Sequence, residues 1–340
     1  MLQCPCRQSR AGPENQSVKD VLMKTVGTMM AAVKAKEANP MLRNVIHASL
    51  IGSALFFGTA LAADPVFSFT TIDHPGATLT EAQGISPGGY IGGLYADASG
   101  VKHGFVLRHG VFTTVDYPGA AYTDVRATNP AGDIVGNYRL PGENPGYAIH
   151  GFVLKRDGTF IPLAYPGYAY MIAKSILPDG SVLGCVHNAG YVVMVGFVWS
   201  RGVYTGLDGS LDGLNVPQSM NNGATPDLGQ IAGLFTDMTL HKGRAYVIQN
   251  GSFTPFDYPG ASSTAAWDIN PPGAIVGNYQ DATGAHGFLL ENGVFTSVQF
   301  PGAILTVVLG ISPGGAIVGW YRDATGTHGF LAIPMPGHGQ

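Results

Sequence analysis

The sequence predicts an all-β fold: a six-bladed β-propeller of four-stranded antiparallel blades, closed by its own N-terminal strand. Three observations predict it. After residue 65 the chain is six tandem copies of one unit of about 41 to 49 residues. Each copy carries four short runs rich in β-branched and aromatic residues. Between the runs stand turn signals such as Asn270-Pro271-Pro272-Gly273 and Asp281-Ala282-Thr283-Gly284, in which Pro presets φ and the closing Gly supplies a left-handed one.

The repeat is plainest in the fifth and sixth copies, 252–293 and 294–334. In the fifth, strands are expected at Phe253–Asp257, Ala265–Ile269, Ala274–Tyr279 and His286–Leu290. Connections this short make antiparallel meanders, and four such strands at this period make a blade. The first copy begins at Val66, the second at Val111 and the third at Thr159. The third has Val195-Gly196-Phe197 where others have His-Gly-Phe. The fourth, from Val203, is the most degenerate, with Arg244-Ala245-Tyr246 at that place. Phe67–Asp73 is equivalent to Phe112–Asp116, and no such strand follows Ile333. It is therefore expected to complete the last blade and hide its open edge.

The chain has 340 residues, 45% of them hydrophobic and only 12% charged, so its surface is unusually neutral. A net charge of −4 offers no field for nucleic acid. Of the three cysteines, Cys4 and Cys6 lie in the leader and Cys185 stands alone, so a processed chain has no internal disulfide.

Residues 1–40 carry no repeat and are expected to be a non-native or disordered leader from an upstream start-codon assignment. From Met41 the chain reads as a secretory signal peptide over 41–63. Arg43 supplies the positive end, Leu50–Ala60 the apolar run and Ala60-Leu61-Ala62 the cleavage pattern. His47, Ser49 and Ser53 interrupt the apolar stretch, which weakens the alternative of a retained membrane anchor. The propeller is expected over 64–336, with a tail at 337–340, secreted or periplasmic.

His103-Gly104-Phe105, His150-Gly151-Phe152, His286-Gly287-Phe288 and His328-Gly329-Phe330 recur with Ile-Val-Gly and Tyr-Pro-Gly-Ala. This pattern resembles the extracellular HAF-type repeat of bacterial secreted proteins, over residues 66–334. The resemblance implies export and a repeat fold. It carries over no catalytic residue.

Each candidate for chemistry has a plainer structural reading. One His per blade places the four histidines on equivalent strands round a ring, where metal ligands would have to converge. Each is expected to bond a turn of its own blade. The Asp-Ala-Ser/Thr-Gly turns at Asp97, Asp281 and Asp323 offer one carboxylate each, which caps its own turn rather than holding calcium. Asp73, Asp116 and Asp257, once per blade, read as turn residues. Cys185 and His187 share a strand face, yet a buried, inert thiol is the expectation. No Gly-x-Ser-x-Gly elbow stands at a strand-to-helix turn.

Variation between copies is more informative. The strand before the Pro-x-Gly turn is expected nearest the axis. Its alignment gives a large, variable column, Gln83, Arg126, Lys174, Gln218, Trp267 and Leu309. The next column is mostly small: Gly84, Ala127, Ser175, Ser219, Asp268 and Gly310. Arg126, Lys174, Gln218, Trp267 and Asp268 are therefore the candidate ligand-binding residues at a channel mouth; the plainer reading is channel filling. The leading functional expectation is a monomeric, non-enzymatic binding or scaffold module for protein or glycan, without metal, cofactor, nucleic acid or membrane span after cleavage. The alternatives are an axial-site hydrolase or lyase of a polysaccharide or lactone, and a structural cell-envelope protein.

Overall fold

The computed structural model describes residues 67–189, 194–207, 215–220, 229–237 and 239–335, with backbone alone at 194 and 215–220. The expected leader over 1–40 with Cys4 and Cys6, the expected signal peptide over 41–63 and the expected tail at 337–340 lie outside the described residues. The chain is an all-β propeller. Its first strand is β1 (Phe67–Ile72). There follow β2 (Leu79–Ile85), β3 (Ile91–Ala96), β4 (Lys102–Arg108), β5 (Val111–Val115), β6 (Tyr122–Thr128), β7 (Ile134–Arg139), β8 (His150–Leu154) and β9 (Phe160–Pro162). The middle of the chain holds β10 (Tyr170–Ile176), β11 (Val182–His187), β12 (Met194–Ser200), β13 (Val203–Gly206), β14 (Asn215–Met220), β15 (Gln230–Asp237), β16 (Lys242–Gln249) and β17 (Ser252–Phe256). The last two repeats supply β18 (Ser263–Ile269), β19 (Ile275–Gln280), β20 (Ala285–Glu291), β21 (Val294–Val298), β22 (Leu305–Ile311), β23 (Ile317–Arg322) and β24 (Thr327–Pro334).

The hydrogen bonding gives four four-stranded sheets: β10–β13, β14–β17, β18–β21, and β22–β24 with β1 added outside β24. The remaining eight strands form one sheet. This differs from the expectation of six separate sheets. The physical reason is a single parallel bridge, Lys102 to Tyr122, which joins the meander β2–β5 to the meander β6–β9. The degenerate fourth repeat still pairs β14 to β15 to β16 to β17.

Each inner strand, namely β2, β6, β10, β14, β18 and β22, lies beside the next, and β22 lies beside β2. In every one of them the register with its neighbour slips at the same place. The residues skipped are Gln83, Arg126, Lys174, Gln218, Trp267 and Leu309. The variable column is therefore a ring of β-bulges, each leaving one residue outside the ladder and re-aiming its side chain. Burial follows the slip. In β18 the buried positions are Thr264, Ala266 and then Ile269; in β10 they are Met171, Ala173 and then Ile176. A step of two becomes a step of three across the extra residue, as a period-2 strand requires.

The Ile-Val-Gly and His-Gly-Phe motifs meet across the middle of each sheet. Gly93 pairs with Phe105, Gly136 with Phe152, Gly184 with Phe197, Gly277 with Phe288 and Gly319 with Phe330. All five Phe rings are fully buried. The rim of each ring occupies the place where a side chain on the glycine would stand: a Cβ on Gly277 would lie 2.0 Å from the Ala265 carbonyl and 2.7 Å from the Phe288 ring. In the fourth repeat Tyr246 pairs with Gly233 in the same place. Gly-Phe is thus the packing part of the motif.

The His is a clasp. His103 Nδ1 bonds the Asp116 carboxylate at 3.0 Å, beyond the outer strand, while its Nε2 lies 3.5 Å from Asp97 in its own turn. His328 likewise joins Asp73 at 3.0 Å to Thr325 at 2.9 Å, which ties β1 to the last sheet. His286 reaches Thr283 at 2.8 Å and Gln299 at 3.4 Å. Arg244 substitutes for His in the fourth repeat, donating to Asp257 at 2.9 Å and Asp237 at 3.3 Å. The turn carboxylates cap their own loops: Asp281 accepts from the Thr283 amide at 2.7 Å and Asp323 from the Thr325 amide at 2.7 Å.

Burial alone would lower the His103 pKa, but the hydrogen bonds and charges of Asp116 and Asp97 outweigh it and hold it up. Its contribution is fully present below the ordinary His range and is lost as pH rises through the raised value. Asp97 is held down, chiefly by Ser99, so its contribution is present above the ordinary Asp range and lost as pH falls. The stabilisation by the clasp is therefore greatest near pH 5. His103→Gln should melt about 1–2 °C below the wild type at pH 5 and level with it by pH 9, as for any partly exposed pair. Calorimetry across that range checks this; a deficit that grows toward pH 9 would exclude the clasp.

Candidate functional site

The inner strands end in Pro-containing turns, and those ends enclose an axial cavity of about 150 Å³. Pro87, Pro178, Pro271 and Pro313 belong to its wall. Inside them the bulges present Gln83, Arg126, Lys174, Trp267 and Leu309, with Asp268 beside Trp267. Four of the five expected site residues thus share one cavity. The fifth, Gln218, lies at the equivalent bulge, and its side chain is outside the described residues.

Arg126 is held firmly. Its Nη2 lies 2.8 Å from Asp124 Oδ2 and its Nε donates to the same oxygen at 3.0 Å. Nη1 donates to Gln83 Oε1 at 3.0 Å, and Gln83 Nε2 donates to Glu81 Oε2 at 2.9 Å. Asp124 is fully buried and accepts also from Tyr122 Oη at 2.7 Å and from Asn137 Nδ2 at 2.9 Å. A buried carboxylate needs this saturation, because an uncompensated charge in the interior is costly. Burial pulls the Arg126 pKa down, but Asp124 and Tyr122 more than reverse it, and the guanidinium stays charged. Burial raises the Glu81 carboxyl against the pull of Lys102 and Arg126.

Lys174 is the opposite case. Burial first, and Arg126 second, lower its pKa to about 8. Its Nζ lies 5.7 Å from the centroid of the Trp267 ring. Among the described residues it forms no ion pair and no hydrogen bond. Three residues of the wall carry a polar atom that is closed off from solvent and has no hydrogen-bond partner among the described residues: Thr128 Oγ1, Ser175 Oγ and Trp267 Nε1. Asp268, by contrast, is engaged: Oδ1 accepts from the Ile269 amide at 2.9 Å and Oδ2 from the Ile311 amide at 2.8 Å. It ties β18 to β22.

Sequence reasoning missed Asp124 and Thr128. The signal for Asp124 was available: Tyr122, Asp124 and Arg126 alternate along one strand. Thr128 gave none, since Thr is common in these strands. Cys185 and His187 are both buried. Burial pushes the Cys185 thiol up, so it stays protonated, and His187 Nδ1 lies 3.1 Å from the Asn188 carbonyl.

No protein-family model and no curated protein matches this chain. Among solved structures it is similar to the putative TolB from Agrobacterium tumefaciens, 15% identical, over 76% of this chain and 91% of that one, with a TM-score of 0.51. The chain has a β-propeller fold. It also matches the fungal Aleuria aurantia lectin, described as a six-bladed propeller with a fucose recognition mode, at 12% identity over 65% and 77% of the chains and a TM-score of 0.42. A gluconolactonase from Xanthomonas campestris matches at 13% identity over 79% and 90%, with a TM-score of 0.47. Likeness at these identities carries the fold alone, because one fold hosts many functions.

Proposed function

We propose that this chain is a six-bladed propeller that works outside the cytoplasm as a monomeric, non-enzymatic binding module, with its ligand in the axial cavity. The count of six treats β2–β5 and β6–β9 as separate blades, since one bridge alone joins them. Closure by the N-terminal strand rests on the pairing of β1 with β24. Export rests on the signal pattern at 41–63, and the domain is taken as 64–336, of the HAF-type repeat kind. The partner is a glycan or a protein displaying one polar group to the cavity.

One observation carries the reading. Five of the bulges deliver their variable side chains to one cavity, where the half-buried Lys174 ammonium has no ion pair or hydrogen bond among the described residues. A charged side chain with no ion pair, set among variable residues in a concave pocket, marks a place for a ligand. Enzymatic hydrolysis would want a convergent carboxylate pair, and the carboxylate in the described wall, Asp268, is bound to two backbone amides.

Thermal shift of the purified protein against a glycan panel should find a saturable ligand, with the shift abolished in Lys174→Ala. With its pKa lowered to about 8, Lys174 loses most of its charge between pH 7 and pH 9, so affinity should fall across that interval. A shift that survives Lys174→Ala unchanged would remove the cavity from the account. Turnover of a bound glycan or lactone would establish the enzymatic alternative instead.

A further inference from the structure

We infer a second binding face, distinct from the axial cavity: the tyrosine-bearing loops that enter β8 and β10 form a platform for a neutral saccharide. This face lies at the far end of the inner strands and does not depend on Lys174. β10 runs from Tyr170 at the platform to Ile176 in the cavity wall.

Two departures from the repeat meet there. The connection between β7 and β8 takes ten residues, 140–149, where those at 97–101, 281–284 and 323–326 take four or five. Insertions confined to one unit of a repeat array fall on loops, often those of the binding face. The second departure follows the Pro-Gly turn. Ala77, Ala120, Ala261 and Ala303 hold that place in four repeats, and Tyr168 holds it in the third. Tyr147, from the insertion, stands edge-on to Tyr170, with ring centroids 5.3 Å apart. Tyr170 is two residues on from Tyr168.

The insertion is held by bonds of its own. Glu143 Oε2 accepts from the Leu140 amide at 2.8 Å, and its Oε1 lies 2.8 Å from His150 Nε2. Asn144 Oδ1 accepts from the Gly146 amide at 2.8 Å, and the Asn144 carbonyl from the Ala148 amide at 2.9 Å. Ala148 is buried, and the Ile149 carbonyl accepts from the Met171 amide at 3.0 Å, which fastens the loop to β10. A loop ordered before its ligand arrives loses little entropy on binding.

The side chains name the ligand class. Tyr147, Tyr168 and Tyr170 are each half-buried, and their hydroxyls make no hydrogen bond among the described residues. Tyrosine joins an apolar ring to a hydroxyl that donates and accepts, which complements the C–H faces and hydroxyls of a sugar. Over 140–149 and 163–170 the single charged side chain is Glu143, and His150 engages it. A charged partner would find no counter-charge here, and a neutral saccharide needs none.

The test is affinity electrophoresis of the full protein in gels holding starch, xylan, galactomannan or the acidic polymer alginate. A neutral polysaccharide should retard it, and alginate should not. Tyr168→Ala restores the residue of the other repeats and should weaken retention by about 3- to 10-fold, as loss of one aromatic contact requires. Exchange of 140–149 for the 281–285 turn should abolish it. Both variants return the chain to its own repeat pattern and should melt close to the wild type. If the exchange costs the fold, Tyr147→Ala reads the same contact with the bonds of the loop intact. Retention by alginate alone, or by none of the neutral polymers, would overturn the saccharide platform. So would retention that survives the exchange. Retention that Lys174→Ala abolishes and the exchange spares would belong to the axial cavity, which would overturn the second face and leave the binding reading standing.

Discussion

Gly277→Ala should destabilise the protein by about 3 kcal/mol or more, because overpacking a closed core costs that much when backbone blocks relief. For a chain of this size the melting temperature should fall by about 6–12 °C. The added Cβ has two obstacles, the Ala265 carbonyl at 2.0 Å and the Phe288 ring at 2.7 Å. The ring cannot yield, since Phe295 stands against it at 5.5 Å and Tyr258 at 6.2 Å between centroids. Gly88→Ala is the control: its Cβ would meet nothing closer than 3.9 Å. Phe288→Ala tests the same contact from the other side and should cost about 3–5 kcal/mol through the cavity it leaves. Scanning calorimetry of the three variants gives the answer. If Gly277→Ala melted with Gly88→Ala, the steric account of the repeated Gly–Phe pair would be wrong.

Removing residues 67–73 should be still more damaging. β1 pairs with β24 from Phe67 opposite Pro334 to Ile72 opposite Gly329. Phe69 packs on Phe300 and Phe330, with centroids at 5.3 and 5.8 Å, and Ile72 is buried. Thr71 and Asp73 add hydrogen bonds to Tyr321 and His328 at 3.0 Å each. Ile72 alone accounts for about 1.5–3 kcal/mol of burial, and the partly buried Phe69 adds to it. The cut also bares β24, and an open edge recruits other chains. The expected result is a lower melting temperature together with concentration-dependent association in sedimentation. A peptide spanning 67–74 added in trans should restore both. A truncated protein that stays monomeric and melts like the whole would show that β1 is ornamental.

The strands were legible because each repeat punctuates itself. In the fifth copy, expected strands over Ala265–Ile269 and His286–Leu290 lie inside β18 and β20, with ends off by one or two residues. The variable column was legible because aligned copies separate what the fold holds constant from what it leaves free. The merger of two meanders was not legible, since it depends on how closely Lys102 approaches Tyr122 across a blade boundary. The commitment of Asp268 was equally hidden: its partner, the Ile311 amide, is a repeat away, and the carboxylate looked available by type alone. In both cases the deciding quantity is a distance between neighbouring blades, which periodicity does not encode. The Arg126 network is intermediate, half of it lying along β6 and half reaching to Gln83 in the preceding inner strand.

The ring of bulges has a consequence for how such a protein changes over generations. A residue skipped by the ladder can be exchanged with no backbone hydrogen bond at stake. Lys174 illustrates the point, since its neighbours Ala173 and Ser175 carry the register around it. Duplication of one unit therefore produces, at each copy, a position outside the backbone ladder, and five of these border the cavity; only where the residue has been recruited into the fold, as Arg126 has by the buried Asp124, does exchange disturb the architecture. Single codon changes there can explore new specificities one blade at a time. Each trial leaves the sheets, the Gly–Phe pairs and the closing strand as they were.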